Sequence, residues 1–188
     1  MKSDFTAGFV ALGLIGGSIA RAIKHFYPEA TVLACARRRE TLTYALEEHI
    51  IDEAYDDICE AFSRCDFIFL CAPVEVNIDS LSKIKPFLKA DCILTDVGST
   101  KTDIHERAAA LGLSDWFIGG HPMAGSEKTG IEHSQWALIE NAYYILTPSA
   151  GIAPEKVTRY TKLVSSLNAL PLCPPLSAIC RILSQPRW

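Results

Sequence analysis

No apolar run in this chain approaches the roughly 18 residues that a membrane span needs, so a membrane role is not expected. No secretory leader is expected either. Met1-Lys2-Ser3-Asp4 carries an acid and leads straight into a strand-like run, with neither an apolar h-region nor a small-residue cleavage site, so the cytoplasm is the expected location. A net charge of −4 gives no general electrostatic reason to bind nucleic acid, which normally needs a basic face. The seven cysteines contain no C-x-x-C spacing. Cys35, Cys59, Cys65, Cys71 and Cys92 are scattered through largely apolar segments, which argues for reduced core thiols rather than a disulfide framework. No pair of histidines has metal-site spacing beside a carboxylate, so no metal is expected. Internal repeats and low-complexity segments are also lacking.

What is present is an ordinary globular composition, 49% hydrophobic and 21% charged over 188 residues, enough for one α/β domain with a sizeable core. Phe9-Val10-Ala11-Leu12 is a short apolar run ending at glycines, and Ile15, Ile19, Ile23 and Phe26 follow at helical spacing: strand, turn, helix. Pro28 closes that helix, residues 31–36 read as a second strand, and residues 41–49 read as a second helix. Phe67-Ile68-Phe69-Leu70-Cys71 is a continuous apolar run stopped by Pro73, as expected of a strand covered by helices on both faces of a parallel sheet. Residues 92–96, 116–118 and 142–146 are further strand-like runs. This alternation predicts a doubly wound, mostly parallel, Rossmann-like α/β sheet in a single domain over residues 1–170. Residues 171–188 open with Pro171-Leu172-Cys173-Pro174-Pro175 and read as an irregular tail, in which only residues 179–183 suit a helical turn.

Ligands of such sheets bind beyond the carboxyl ends of the strands, and three unusual loops fall there. In the first, Gly13-Leu14-Ile15-Gly16-Gly17-Ser18, a G-x-G-x-x-G turn has Ala11 in its first position and Gly13 and Gly16 in the others. One small residue allows the bend, another lets backbone approach a pyrophosphate, and the last lets helix pack on strand, with the helix N-terminus facing the anion. Sheets that prefer NAD carry an acid about 20 residues on, for the ribose 2′-hydroxyl. Here the chain reads Ala36-Arg37-Arg38-Arg39. Guanidinium groups suited to a 2′-phosphate replace the acid, so NADP is favoured over NAD with Arg37 as a candidate contact; a solvated basic loop is the competing reading.

In the second loop, Asp96-Val97-Gly98-Ser99-Thr100-Lys101, Thr100 as N-cap with Asp103 three residues on makes an approximate capping box. A lysine in the first helical turn opposes the macrodipole, however, and hints at an anion nearby. Ser99 is expected to face the carboxyl edge of the sheet. The third loop, Gly119-Gly120-His121-Pro122-Met123-Ala124-Gly125-Ser126-Glu127-Lys128, sets a histidine between a flexible diglycine and a rigid proline. Following a strand, His121 is pushed by Pro122 into extended backbone, and its neutral imidazole can accept a proton from a hydroxyl. His25, His49, His105 and His133 have no comparable setting and read as surface or helix residues.

Taken in order, Leu12-Gly13-Leu14-Ile15-Gly16-Gly17-Ser18, Asp96-Val97-Gly98-Ser99-Thr100-Lys101 and His121-Pro122-Met123-Ala124-Gly125-Ser126-Glu127 resemble the prephenate/arogenate dehydrogenase family of tyrosine biosynthesis. The resemblance covers residues 8–170. It implies oxidation of prephenate at its ring hydroxyl carbon, with hydride passing to NAD(P)+ and the ring carboxylate leaving as CO2 to give 4-hydroxyphenylpyruvate; arogenate is the alternative substrate. It also implies catalytic roles for His121, against the ring hydroxyl, and Ser99, beside the nicotinamide. Ser126 and Glu127 would contact substrate, and Gly13, Leu14, Ile15, Gly16, Ala72 and Pro73 the cofactor. Family members continue into a helical domain that mediates dimerisation and supplies an arginine for a substrate carboxylate. The family-like sequence stops near Leu170, so the expectation is a truncated or frame-shifted chain, weakly active or reduced to a non-catalytic dinucleotide-binding remnant. A related β-hydroxyacid dehydrogenase would also place serine after a strand, but leaves the His121-Pro122 run unexplained.

Overall fold

The apolar runs become neighbouring parallel strands because each is followed by a connection that returns the chain to the same end of the sheet. In the computed structural model, which describes residues 4–174, β1 (Thr6–Val10) pairs with β2 (Thr31–Cys35), and β3 (Glu53–Tyr55) lies beyond β2. On the other side of β1 come β4 (Phe67–Leu70) and then β5 (Ile93–Asp96), all parallel. The order β3-β2-β1-β4-β5 changes direction between β1 and β4, and the crevice at such a reversal is where ligands of this architecture sit.

Helices α1 (Leu14–Phe26) and α2 (Arg39–Glu47) cover one face, α3 (Val74–Ile84) and α4 (Thr102–Ala110) the other, and α5 (Pro154–Ser166) returns to the first. Alternate strand residues enter the two layers: Phe9, Phe67 and Phe69 face α1 and α5, while Val10, Ile68 and Leu70 face α3 and α4. Phe9 and Phe69 stack with ring centroids 4.9 Å apart. Burying each such side chain contributes roughly 1.5–3 kcal/mol, so the two layers tie the sheet to its helices independently.

The doubly wound, mostly parallel sheet read from the sequence is what forms, and it carries an addition. β6 (Ile118–Pro122), β7 (Tyr143–Pro148) and β8 (Leu170–Leu172) make a three-stranded part in which β7 runs antiparallel to β6 and β8 parallel to β7. This part joins the five-stranded one at a parallel bridge between Leu94 and Phe117, where the Leu94 N–H donates to the Trp116 carbonyl at 2.9 Å. The reading of an irregular chain after Leu170 is corrected for its first residues, because Pro171 and Leu172 belong to β8. Proline is tolerated there since β8 is an edge strand. The helical turn read at residues 179–183 lies outside the described residues. Among the described residues no helix is long and apolar enough to cross a membrane.

The diglycine also needs correction. Gly119 and Gly120 form no flexible hinge: both are buried inside β6, and His121 lies within the strand instead of after it. What they provide is closeness. A Cβ on Gly120 would stand 2.6 Å from the Asp96 carbonyl oxygen, and one on Gly119 would collide with Thr147 and come 2.8 Å from His105 Nε2. Gly120→Ala therefore overpacks rigid backbone and lowers stability by about 2 kcal/mol in denaturant unfolding, whereas Gly125→Ala, whose methyl would meet open space, shifts it by under about 0.5 kcal/mol. Equal midpoints for the two variants would contradict the close-approach account.

Candidate dinucleotide site

The glycine bend forms despite its alanine. Ala11 sits at φ +69°, the left-handed region where an L side chain costs roughly 1–2 kcal/mol, and its N–H donates to the Cys35 carbonyl at 2.8 Å. Gly16 does what the spacing asks, since a Cβ there would stand 2.9 Å from Cys71 Cβ and 3.1 Å from the Ala11 carbonyl. Gly13 plays a different part. It is the N-cap of α1, no side chain caps the helix, and a Cβ on it would meet nothing within 4 Å, so the backbone is bare on the side facing the crevice. Leu14 and Ile15, half-buried, open the helix directly after it.

Beyond the carboxyl ends of β1, β2 and β4 lies a cleft of about 640 Å³ whose lining includes Gly13, Arg37, Thr41, Ala72, Pro73 and Lys83. Four of the seven residues expected to contact cofactor, Gly13, Arg37, Ala72 and Pro73, thus meet in one cavity, while Leu14, Ile15 and Gly16 follow in the first turn of α1. The Ala72-Pro73 corner is held by a residue that sequence reasoning missed: buried Asn77 donates to the carbonyls of Leu70 (3.1 Å) and Ala72 (2.8 Å) and accepts from the Ala72 N–H (3.0 Å). A polar side chain four residues into a helix that opens on Pro73 was the available signal. Asp56 and Asp57 also line the cleft, paired with Arg39 at 3.1 Å and Lys83 at 3.5 Å, and they come from the loop after β3, which had no apolar run to announce it. Cys35 and Cys71, read as core thiols, line the same cleft. Burial pushes Cys35 up to about 12 and Cys71 up as well, which keeps both protonated.

The second and third loops meet further along the same edge. β1, β4 and β5 are in register at Val10, Leu70 and Asp96, and the Gly120 N–H donates to Asp96 Oδ1 at 3.2 Å. Three inter-strand steps of roughly 4.8 Å separate the glycine bend from His121, about 14 Å, a span that an extended dinucleotide can bridge. Ser99, half-buried in the turn after β5, and His121, half-buried and opposite Ile145 of β7, therefore share one rim with Gly13. Ser126 and Glu127 are exposed in the 123–130 loop, where Ser126 Oγ accepts from the Lys128 N–H at 3.1 Å; that loop is not part of the cleft. It is anchored beyond by α1. The Gln135 N–H donates to Ser18 Oγ at 3.1 Å, Arg21 Nε donates to Ser134 Oγ at 3.0 Å, and Gly17 leaves room for Ser134.

Two readings of the second loop change. Thr100 is not the N-cap: α4 starts at Thr102 with Lys101 in the capping position and no side-chain cap bond. The anion that Lys101 implied is internal. Lys101 Nζ pairs with Asp96 Oδ2, both side chains at most 5% exposed, and the Gly98 N–H donates to the same oxygen at 3.0 Å. Burial pushes the Asp96 carboxyl up and the Lys101 ammonium down, while their mutual contact opposes both shifts. His105, read as a surface or helix residue, is on α4 but two-sided: Nε2 lies 2.9 Å from Thr147 Oγ1, Nδ1 lies 3.4 Å from Ser149 Oγ, and the ring meets Phe117 edge-on. Burial, then the Lys101 charge, lowers its pKa to about 4. Among the described residues no cluster of His, Cys, Asp and Glu could hold a metal.

A parallel sheet with a glycine bend at its reversal point, an uncapped helix behind it and a cleft beyond the strand ends defines a nucleotide-binding domain of the doubly wound class. Residues 19–170 match the family model described as the prephenate dehydrogenase nucleotide-binding domain, and the chain belongs to that family. Prephenate dehydrogenase of Lactococcus lactis subsp. cremoris is 43% identical over 141 residues, which is 73% of this chain and 39% of that protein. The crystal structure of Synechocystis arogenate dehydrogenase matches with a TM-score of 0.87 at 32% identity, over 95% of this chain and 62% of that one. Prephenate dehydrogenase from A. aeolicus, in complex with hydroxyphenyl propionate and NAD+, gives the same TM-score at 25% identity over 95% and 62%. The chain thus spans about two-fifths of that curated relative and under two thirds of those solved chains.

The His105 environment sets a pH dependence whose sign follows from its depressed pKa. An unfolded imidazole titrates near 6.5 and the folded one at about 4, so between these values the unfolded chain binds the additional proton and stability falls as pH drops. Above about pH 7 the group contributes nothing to the slope. His105→Gln should lose less of its thermal midpoint between about pH 7 and pH 5 than the unsubstituted chain does, and equal losses would contradict the assignment.

Proposed function

We propose that this chain binds a nicotinamide dinucleotide along the rim from Arg37 to His121, and that its site oxidises prephenate, with arogenate as the alternative substrate. The observation that carries this reading is the alignment of the bare Gly13 backbone, the Ala72-Pro73 corner, Ser99 and His121 on one carboxyl edge of one sheet. The adenosine half belongs in the 640 Å³ cleft, and the pyrophosphate belongs over Gly13 and the first turn of α1, at Leu14, Ile15 and Gly16, where the helix dipole favours negative charge. Arg37 lines the cleft, and no carboxylate ends β2; both features favour a 2′-phosphate and hence NADP over NAD.

When bound, the nicotinamide supplies the hydride acceptor. His121 accepts the hydrogen bond of the ring hydroxyl and stabilises the developing charge as the carbon loses hydride. Ser99 orients the nicotinamide end from the turn after β5. Ser126 and Glu127, on the loop anchored between β6 and α1, contact the substrate's polar groups. Loss of the ring carboxylate as CO2 aromatises the ring, which supplies much of the driving force, so the protein's main task is placement.

Calorimetric titration and a prephenate-dependent assay of NADPH formation test this reading. NADP+ is expected to bind about ten-fold more tightly than NAD+, and Arg37→Ala to remove most of that difference; an unchanged ratio would overturn the cofactor assignment. His121→Asn should lower kcat by about a hundred-fold or more while leaving cofactor affinity within about three-fold. Cofactor binding with no turnover by the unsubstituted chain would leave only a binding role, and wild-type turnover by His121→Asn would overturn the catalytic assignment.

A further inference from the structure

Asp96 lies under both candidate catalytic loops without reaching the crevice itself, buried to 1% exposure. Its two oxygens are divided between them. Oδ2 accepts the Gly98 N–H at 3.0 Å together with Lys101 Nζ, and Oδ1 accepts the Gly120 N–H at 3.2 Å. Each held amide belongs to the residue immediately before a proposed site residue, Ser99 in one case and His121 in the other. The backbone bridge between β5 and β6, Leu94 with Phe117, lies short of this end, and the Asp96 side chain ties the strands together where they carry the site. Gly120 allows that approach because a Cβ would stand 2.6 Å from the Asp96 carbonyl.

We propose that Asp96 is a positioning residue whose carboxylate, neutralised by Lys101, sets the separation of Ser99 and His121 across the join between the two parts of the sheet. The proposal rests on the reading of those two residues as the nicotinamide-end pair. Only a carboxylate fits the position. All its side-chain partners given above are donors, and an amide in its place would offer one accepting oxygen and turn an N–H toward the other glycine. Lys101 in turn keeps the charge from standing alone in a dry site.

Asp96→Asn should therefore free one of the two loops without emptying the adenosine cleft. In the full 188-residue chain, hydrogen exchange at the Gly98 or Gly120 amide should rise by about ten-fold or more while amides of β1 and β4 stay protected. The kcat for prephenate oxidation should fall by about ten- to a hundred-fold, with KM and the NADP+ Kd each within about three-fold. Where loss of the single charge lowers stability, the double variant Asp96→Asn/Lys101→Met removes both charges; it should regain most of the thermal midpoint but not the kcat. Unchanged exchange at both glycines, or recovery of kcat together with stability in the double variant, would overturn the proposal. If the unsubstituted chain turns over no prephenate, it is the reading of the site that fails, and the exchange measurement still decides whether Asp96 holds the two loops.

Discussion

Everything at the candidate site hangs on how a sheet assembled from two parts keeps one straight carboxyl edge. The five-stranded part closes its own ladder through helices on both faces, and its cleft follows from the strand order alone. The three-stranded part has no such ladder to share, meeting β5 at the Leu94–Phe117 bridge. What brings β6 level with its neighbour is a buried carboxylate gripping amides on both sides, made possible by two glycines whose missing side chains leave space for Lys101, His105 and Thr147 on one face and Asp96 on the other. A buried ion pair is seldom a source of net stability, because desolvation offsets the attraction. Here its value is geometric.

Much of this was legible in the residues. The strand–turn–helix of the first loop, the continuous apolar run at β4 and the placement of the first two loops at strand ends follow from periodicity and punctuation, because those signals are local. Where the reading went astray, the cause was long-range. Gly119 and Gly120 look flexible in isolation; their role depends on Asp96 and His105, which arrive from elsewhere in the chain. Lys101 advertised an anion correctly, and nothing in the string could say that it was Asp96 rather than a ligand. Thr100 had the chemistry of a cap, but the helix began past it. The short β3 and the edge strand β8 carry no run long enough to stand out, and Pro171 argued against the latter until its edge position was known.

The two halves of the crevice differ in how they are built. At the cleft by the ends of β1 and β2 the polar groups are solvent-facing, with ion pairs such as Arg39–Asp56 and Lys83–Asp57 on exposed side chains, where water screens each contact. At the other end the supporting groups are buried or half-buried and partnered: Asp96 with Lys101, His105 with Thr147, and Tyr144 with Tyr160 at 3.1 Å, which takes a further bond from Thr95 at 3.0 Å. On the proposed function, the solvent-facing end would take the adenosine and the buried, partnered end would hold the reacting groups in place.

A crystal structure of the chain with NADP+ would test the account most directly. The account predicts the adenosine ribose beside Arg37, the pyrophosphate across the open backbone of Gly13, and the nicotinamide ring in contact with Ser99 and facing His121. A nicotinamide directed away from β6, or a dinucleotide seated on another edge of the sheet, would contradict it.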